Sequence, residues 1–276
     1  MTTTLRPAGP EERRADGGRT RTYEVCVNSR PVGRVELRTE PRRGPATGLI
    51  ADLRIDERER RRGRGTVAAL AAEEVLRGWG CREIELPVPA GAEVALRLAA
   101  ALGYTERSRR MRKPLTEVPA LPEGSEDRPL TEAEYPAWLA ASRATYVETR
   151  TAHGMPRAAA EEAADRSLGE LLPDGLATPG LYLRVLVHDG TDVGYIWVTE
   201  RELGRPGGYV YDVEVAPEHR GRGHGRTLLL IAERGCLAVG QRELGLNVYA
   251  DNTAARSLYE SLGYGTSEYT FWKPLL

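Results

Sequence analysis

The chain repeats itself, and this constrains its fold more than any other feature of the sequence. Asp52 aligns with Asp212, and the match runs without a gap to Leu115 and Leu275, with about 22 identities over about 64 positions. The shared residues include Arg60/Arg220, Arg62/Arg222, Gly63/Gly223, Gly65/Gly225, Glu73/Glu233, Gly103/Gly263 and Tyr104/Tyr264, and both copies end in Lys-Pro-Leu. Upstream, Val32-Gly33 pairs with Val193-Gly194 after a one-residue slip. The fold must therefore be one unit built twice, which suits a length of 276 residues. Residues 116–128 (TEVPALPEGSEDR) carry Pro, Gly, Ser and acids with no apolar period and read as a linker. The expected division is 1–115, a linker 116–128, and 129–276.

Composition excludes several classes. Hydrophobic residues at 41% and charged residues at 29% allow a buried core and argue against wholesale disorder. Lys plus Arg is 39 against 40 for Asp plus Glu, so nothing draws the whole chain to nucleic acid or an anionic membrane, and an anion site has to be local. Met1 to Gly18 is polar with no apolar leader core, and no stretch approaches the roughly 18 apolar residues of a spanning helix. The expectation is a cytoplasmic protein without membrane contact. Cys26, Cys81 and Cys236 are odd in number and far apart, which suits a reducing compartment and argues against a zinc site, so no metal is expected. Only Lys113 and Lys273 are lysines.

In the second half, Glu132 to Thr151 and Arg157 to Leu172 read as helices, separated by His153-Gly154-Met155-Pro156. Leu181–Val187, Gly194–Thr199 and Gly208–Val215 are β-branched and aromatic and read as consecutive antiparallel strands. Helical spacing then takes over from Leu228 to Val239, followed by a strand at Leu244–Tyr249, a helix from Asn252 to Leu262, and a final strand region at Gly265–Pro274. The first half has only some twenty polar residues where the second has its two leading helices.

The sharpest local feature is YVYDVEVAPEHRGRGHGR, residues 209–226: a strand, a Pro-marked exit, three glycines and a helix start. Glycines let backbone amides approach a ligand, and the first-turn amides of a helix lack intrahelical acceptors, so this loop can cradle a pyrophosphate. Arg220, Arg222 and Arg226 add charge. No Lys-Ser/Thr follows, which excludes a Walker loop, and neither G-x-G-x-x-G nor a parallel βαβ context is present for a dinucleotide fold.

With the strand Gly245–Ala250 and NTAARSLYESLGY, in which Asn252 precedes Tyr259 by seven residues, the R-x-x-G-x-G loop resembles the core signature of the GNAT acetyltransferase superfamily. The resemblance covers most of the second half and, more weakly, Tyr23 to Leu115. It implies a tandem α/β fold in which each half is a mixed, mostly antiparallel, V-splayed sheet flanked by helices. It further implies acetyl-CoA as acetyl donor and direct transfer to an amine. Carried over by position, Val213, Glu214 and Val215 contact the acetyl and pantetheine arm. Arg220, Gly221, Arg222, Gly223, His224, Gly225 and Arg226 take the pyrophosphate, Asn252 touches the cofactor, and Tyr259 is the general acid. A strand amide to steady the oxyanion and a phenol to protonate the leaving thiolate suit that chemistry. Asn247 stands where related ribosomal-protein alanine acetyltransferases have an acid, which leaves Glu214, Asp212 or a water chain as base. Glu214 is marginally preferred, because Asp212 has a counterpart, Asp52, that suggests a role common to both copies.

The first half keeps Arg60, Gly63 and Gly65 but has Ala92 for Asn252, Ala99 for Tyr259, and Pro87 and Pro89 in its corresponding strand. It reads as a degenerate copy, although the basic run Arg58 to Arg64 could still hold a coenzyme A phosphate. No interleaved aromatics supply a stacking platform for nucleic acid. The acceptor pocket is expected from Thr131–Leu172 and the strand around Tyr195 and Trp197, with Tyr135, Trp138, Tyr146, Glu148 and Glu161 as candidates that core or surface roles would equally explain. The expected acceptor is a small-molecule primary amine; a protein or peptide amino terminus, or a non-catalytic acyl-CoA-binding module, are the alternatives. Monomer and homodimer both remain open.

Overall fold

The computed structural model describes residues 3–41, 46–202 and 205–275. The first repeat supplies β1 (Thr3–Pro7), β2 (Glu12–Arg13), β3 (Arg19–Val27), β4 (Arg30–Thr39), β5 (Thr47–Ile55), α1 (Arg64–Gly78), β6 (Glu83–Pro89), α2 (Glu93–Ala101) and β7 (Thr105–Pro114). The second supplies β8 (Ser125–Pro129), α3 (Tyr135–Ala152), α4 (Arg157–Leu171), β9 (Leu181–His188), β10 (Thr191–Glu202), β11 (Arg205–Val215), α5 (His224–Ala238), β12 (Glu243–Tyr249), α6 (Thr253–Ser261) and β13 (Gly265–Pro274). No helix among the described residues is long and apolar enough to cross a membrane. Cys26, Cys81 and Cys236 are buried and free.

Two strands carry no apolar alternation to announce them. One is β1, which pairs antiparallel with β3. The other is β8, which pairs with β9 from Ser125↔His188 to Pro129↔Arg184, so the segment read as a linker is already a strand at its end. Backbone pairing and the Arg184–Asp127 ion pair at 2.6 Å hold this polar edge strand in place of apolar burial.

The compact units do not follow the repeat boundaries. One unit is Met1–Arg109 with Glu268–Leu276, the other Arg110–Ser267. The strand order is β1-β3-β4-β5-β6-β13 in the first and β7-β12-β11-β10-β9-β8 in the second. Each repeat thus gives the latter part of its last strand to the other unit. In the first unit β13 runs antiparallel to β6 from Glu268↔Pro89 to Pro274↔Glu83, and the Leu275 amide donates to the Arg82 carbonyl at 2.8 Å. In the second, the Leu115 amide donates to the Arg242 carbonyl, also at 2.8 Å.

The repeated Lys-Pro-Leu has its explanation here. Lys273 Nζ donates to both oxygens of Glu73 (2.9 and 3.2 Å), and the Tyr104 hydroxyl donates to the same carboxylate at 2.9 Å. In the other unit Lys113 Nζ donates to Glu233 (2.7 and 2.8 Å), with the Tyr264 hydroxyl at 3.3 Å. Glu73 and Glu233 are 5% and 3% exposed, on helices packed against the sheets. A carboxylate that deep costs several kcal/mol to desolvate unless a cation and hydrogen bonds compensate it. Both lysines of the chain serve this purpose.

In each unit two neighbouring parallel strands part soon after they meet. β5 and β6 pair from Thr47↔Glu83 to Leu49↔Glu85, and β11 and β12 only at Gly208↔Leu244 and Tyr209↔Gly245. A bulge accompanies each separation. Along β10, Trp197 faces Asp212 and the next residue Val198 faces Val210, leaving Tyr211 unopposed; along β4, Glu36 faces Asp52 and Leu37 faces Ile50, leaving Ala51 unopposed. The repeated Val-Gly also has a steric cause: a Cβ on Gly194 would lie 2.3 Å from the Glu214 carbonyl oxygen, and one on Gly33 2.2 Å from that of Arg54. The sequence implied a tandem α/β fold with V-splayed sheets, and this is the architecture found.

Removing the Lys273 ammonium strands the buried Glu73 carboxylate. Lys273→Met is expected to lower unfolding free energy by about 3 kcal/mol, measured by urea denaturation at neutral pH, and the double variant Lys273→Met/Glu73→Leu to recover a large part of it. A single-variant loss below about 1 kcal/mol would contradict this account.

Candidate functional site

The glycine loop forms because β11 ends at Val215, one tight turn covers Pro217–His219, and α5 begins at His224. Gly221 and Gly223 lie at φ of 77° and 87°, a left-handed backbone that costs a residue with a Cβ roughly 1–2 kcal/mol. Arg220 Nε donates to the Val215 carbonyl at 3.0 Å, as Arg60 Nε does to that of Ile55 at 2.9 Å, so this arginine folds the loop in both copies. Arg226 donates to Ser261 Oγ at 2.6 Å, while Arg222 is exposed. Among the described residues no amide from 221 to 225 donates a turn, loop or cap hydrogen bond. Five successive orphan donors at the positive end of a helix fit the diphosphate of a carrier such as acetyl-CoA. His224 is buried beneath them, with its ring 4.8 Å from that of His188 and 6.3 Å from that of His219. Burial, then those two imidazoles and Arg222, hold its pKa below the ordinary value.

Beyond Tyr209 the β12 side of β11 is released, while the other side stays paired to β10 through Val213↔Ile196, Glu214↔Tyr195 and Val215↔Gly194. Val213, Glu214 and Val215 therefore sit on the open arm of the V. Asn252 caps α6, its side-chain oxygen accepting the Ala255 amide at 3.1 Å. Tyr259, on that helix, is 7% exposed, and burial followed by the charge of Asp212 pushes its phenol up to about 12. The two carboxylates considered as base share one partner: the Tyr195 hydroxyl lies 2.9 Å from Asp212 Oδ2 and 2.9 Å from Glu214 Oε2. Burial raises the Asp212 pKa, the Tyr195 hydrogen bond opposes that, and the Glu214 charge adds to the rise. Asp212 lines a cleft of about 340 Å³; Glu214 does not.

The α3 wall of that cleft is a stripe of hydroxyls, Ser142, Thr145 and Thr149, at spacings of three and four residues that place them on one helix face. Trp197 and Asn247 line it from the strands. The Trp197 indole N–H is buried without a hydrogen-bond partner among the described residues. Of the pocket candidates, Tyr146 lines the cleft. Tyr135 and Trp138 instead join an aromatic cluster with Trp197, the two tryptophan rings 5.4 Å apart and edge-on. Glu148 and Glu161 do not line the cleft and instead ion-pair with Arg157 at 2.9 and 3.3 Å, Glu161 one turn along α4 and Glu148 across from α3. The hydroxyl stripe and the bridging role of Tyr195 were not anticipated. The spacing of Ser142, Thr145 and Thr149 was the available signal for the first; the second depends on strand pairing.

The corresponding features of the first unit are filled or neutralised. Ala99 is fully buried where the second repeat has Tyr259, and Ala92 gives α2 no side-chain cap. Asp52 has Arg54 at 3.0 Å and Arg34 at 3.4 Å instead of a phenol and a second acid. The basic run is organised on its own anion: the buried Glu59 takes Arg64, Arg30 and, at 3.6 Å, Arg62.

A splayed parallel strand pair, an amide-lined loop at a helix start and a buried phenol near a carboxylate are the arrangement expected of an acyltransferase that draws on a diphosphate-bearing carrier. The Acetyltransferase (GNAT) family matches residues 3–104 and 140–264, and the chain belongs to this family. It is an acetyl-CoA-dependent N-acetyltransferase. It is 31% identical over 246 residues to a mycothiol acetyltransferase of Streptomyces avermitilis, covering 86% of this chain and 74% of that one. It is 29% identical over 151 residues to the uncharacterized N-acetyltransferase YycN of Bacillus subtilis, covering 53% of this chain and 96% of the relative. In fold it is similar to a GCN5-related N-acetyltransferase from Sphaerobacter thermophilus (TM-score 0.60, 20% identity, 92% and 80% of the two chains). It is also similar to a tandem GNAT protein from the clavulanic acid biosynthesis pathway (TM-score 0.54, 22% identity, 96% and 85%).

Gly223→Ala is expected to weaken acetyl-CoA binding by about tenfold in titration calorimetry, since its left-handed backbone presents the amides, whereas Gly63→Ala should leave that affinity unchanged. Equal losses from both variants would mean that both loops bind the carrier.

Proposed function

We propose that the second repeat moves the acetyl group of acetyl-CoA directly to a primary amine of a small molecule, and that the first repeat is a degenerate copy that does not turn over. The observation that carries this is the opening between β11 and β12, with orphan amides at its loop end and Tyr259 close enough to feel the charge of Asp212. When bound, acetyl-CoA supplies an activated thioester. The amides of residues 221–225 and the side chain of Arg222 hold the diphosphate. The side of the Val213–Val215 main chain that faces away from β10 steadies the pantetheine arm and offers an amide to the developing oxyanion.

Asp212 is the better base than Glu214, because it lines the cleft and its raised pKa brings it nearer to neutral pH. It takes a proton from the incoming ammonium and frees the amine to attack. Tyr259, with a phenol near 12, stays protonated at any physiological pH. Against a thiol of ordinary pKa near 8.5 it is too weak an acid to give its proton away outright, so it stabilises the departing thiolate by donating a hydrogen bond while the second amine proton restores the balance.

A cleft of about 340 Å³ is on the scale of small-ligand sites, which favours a small molecule over a protein terminus. Its hydroxyl stripe and the unpartnered Trp197 N–H favour an acceptor that carries oxygen. The relatives named for mycothiol support a small-molecule acceptor in the same sense.

The test is thiol release from acetyl-CoA across aminoglycosides, polyamines, amino acids and short peptides, with one acetyl-CoA equivalent bound per chain. Peptide-only turnover, or none, would refute the small-molecule reading. Tyr259→Phe should lower kcat by about 10² with little change in KM. Asp212 must be ionised to act, so kcat/KM should fall as pH drops through its raised pKa, and Asp212→Asn should remove that acid limb along with most of the rate.

A further inference from the structure

The contact of Tyr195 with two acids is not needed to position one base. A phenol has a single proton to donate, yet its oxygen sits 2.9 Å from a carboxylate oxygen on either side. The two acids differ in access: Asp212 lines the cleft, while Glu214 does not line it and keeps 36% of its side chain exposed. The three groups thus form a line of hydrogen-bonding oxygens from the cleft to solvent. The groups facing this line are Tyr259 on α6, which feels the Asp212 charge, and Arg220 of the glycine loop, 3.9 Å from Glu214 Oε1. The first unit keeps the aspartate and the strand geometry but has Arg34 and Arg54 against Asp52. Neither guanidinium can accept or pass a proton. The line is therefore present only in the repeat to which catalysis is assigned, and it is not a general requirement of the bulged strand.

We propose that Asp212, Tyr195 and Glu214 form a proton relay that carries the acceptor's ammonium proton from the cleft to solvent. This rests on the reading of Asp212 as base. The ammonium N–H bond breaks and an O–H forms on Asp212. That proton moves to the Tyr195 oxygen as the phenol's own proton passes to Glu214, so two O–H bonds break and two form while Tyr195 stays neutral. Glu214 then releases its proton to water and the hydroxyl turns back. The relay exports the one proton that conversion of an ammonium and a thioester into an amide and a thiol sets free; the other ends on sulfur. Tyr195 and Glu214 act through Asp212 and need not touch the acceptor.

The test uses the full chain. First, with carboxyl-¹³C aspartate and glutamate, Asp212 is titrated in the wild type, in Tyr195→Phe and in the isosteric Glu214→Gln. The relay predicts that both substitutions shift the Asp212 midpoint; an unchanged midpoint in both overturns it whatever the acceptor. Second, with whichever panel amine is turned over fastest, Tyr195→Phe and Glu214→Gln should each lower kcat about tenfold or more at unchanged KM for acetyl-CoA. A small buffer base such as cacodylate should restore the rate in proportion to its concentration, while the wild type should not respond to it. A loss that buffer does not rescue, or no loss, overturns the relay. Asp212→Asn separates the two readings: retained activity removes Asp212 as base, whereas an inactive Asp212→Asn beside fully active Tyr195→Phe and Glu214→Gln removes the relay alone.

Discussion

The parting of β11 from β12 after two paired residues is the constraint on which the rest of the structure depends. Two parallel strands that stay paired satisfy each other's main chain and leave no room for a ligand. Strands that part leave amides and carbonyls facing a gap, which water or a ligand must fill. The bulge at Tyr211 re-aims the strand at this point, and Gly194 lets β10 follow at a separation no Cβ would tolerate. Asp212 comes next in the chain, and the glycine loop begins where the strand ends. The released strand, the bulge, Asp212 and the glycine loop thus belong to one continuous run of backbone.

Comparison of the two units shows how little must change for a fold to keep its shape and alter its chemistry. The bulge, the close-approach glycine, the arginine that folds the loop and the lysine–glutamate latch are all duplicated. Several of the side chains around the corresponding positions are not. An alanine replaces the phenol, arginines replace the second acid and its bridging tyrosine, and a buried glutamate occupies the basic loop from within.

The repeat made the fold legible, because an offset of one motif onto another needs no knowledge of packing. The helices and the central strands were legible from their periods and their glycine and proline stops. β1 and β8 were not, since edge strands held by backbone pairing and ion pairs leave no apolar pattern. The exchange of the final strands was hidden for another reason: Lys-Pro-Leu looks the same whichever sheet it joins, and only the pairing of Lys273 with Glu73 reveals its place. At the site, the place of the glycine loop before α5 and of Tyr259 on α6 was legible from motif spacing. The choice between Asp212 and Glu214 did not, because strand alternation puts both on one face and only three-dimensional placement shows which one faces the cleft.

The lysine latches have a chemical side effect. An enzyme that holds an acetyl thioester is exposed to acetylation of its own side chains, and lysine is the side chain that suffers. Here both ammonium groups are engaged by deeply buried carboxylates, and every other basic side chain except histidine is an arginine, whose guanidinium is a poor nucleophile. The contacts that hold the exchanged strands therefore also leave few side-chain amines to compete with the acceptor.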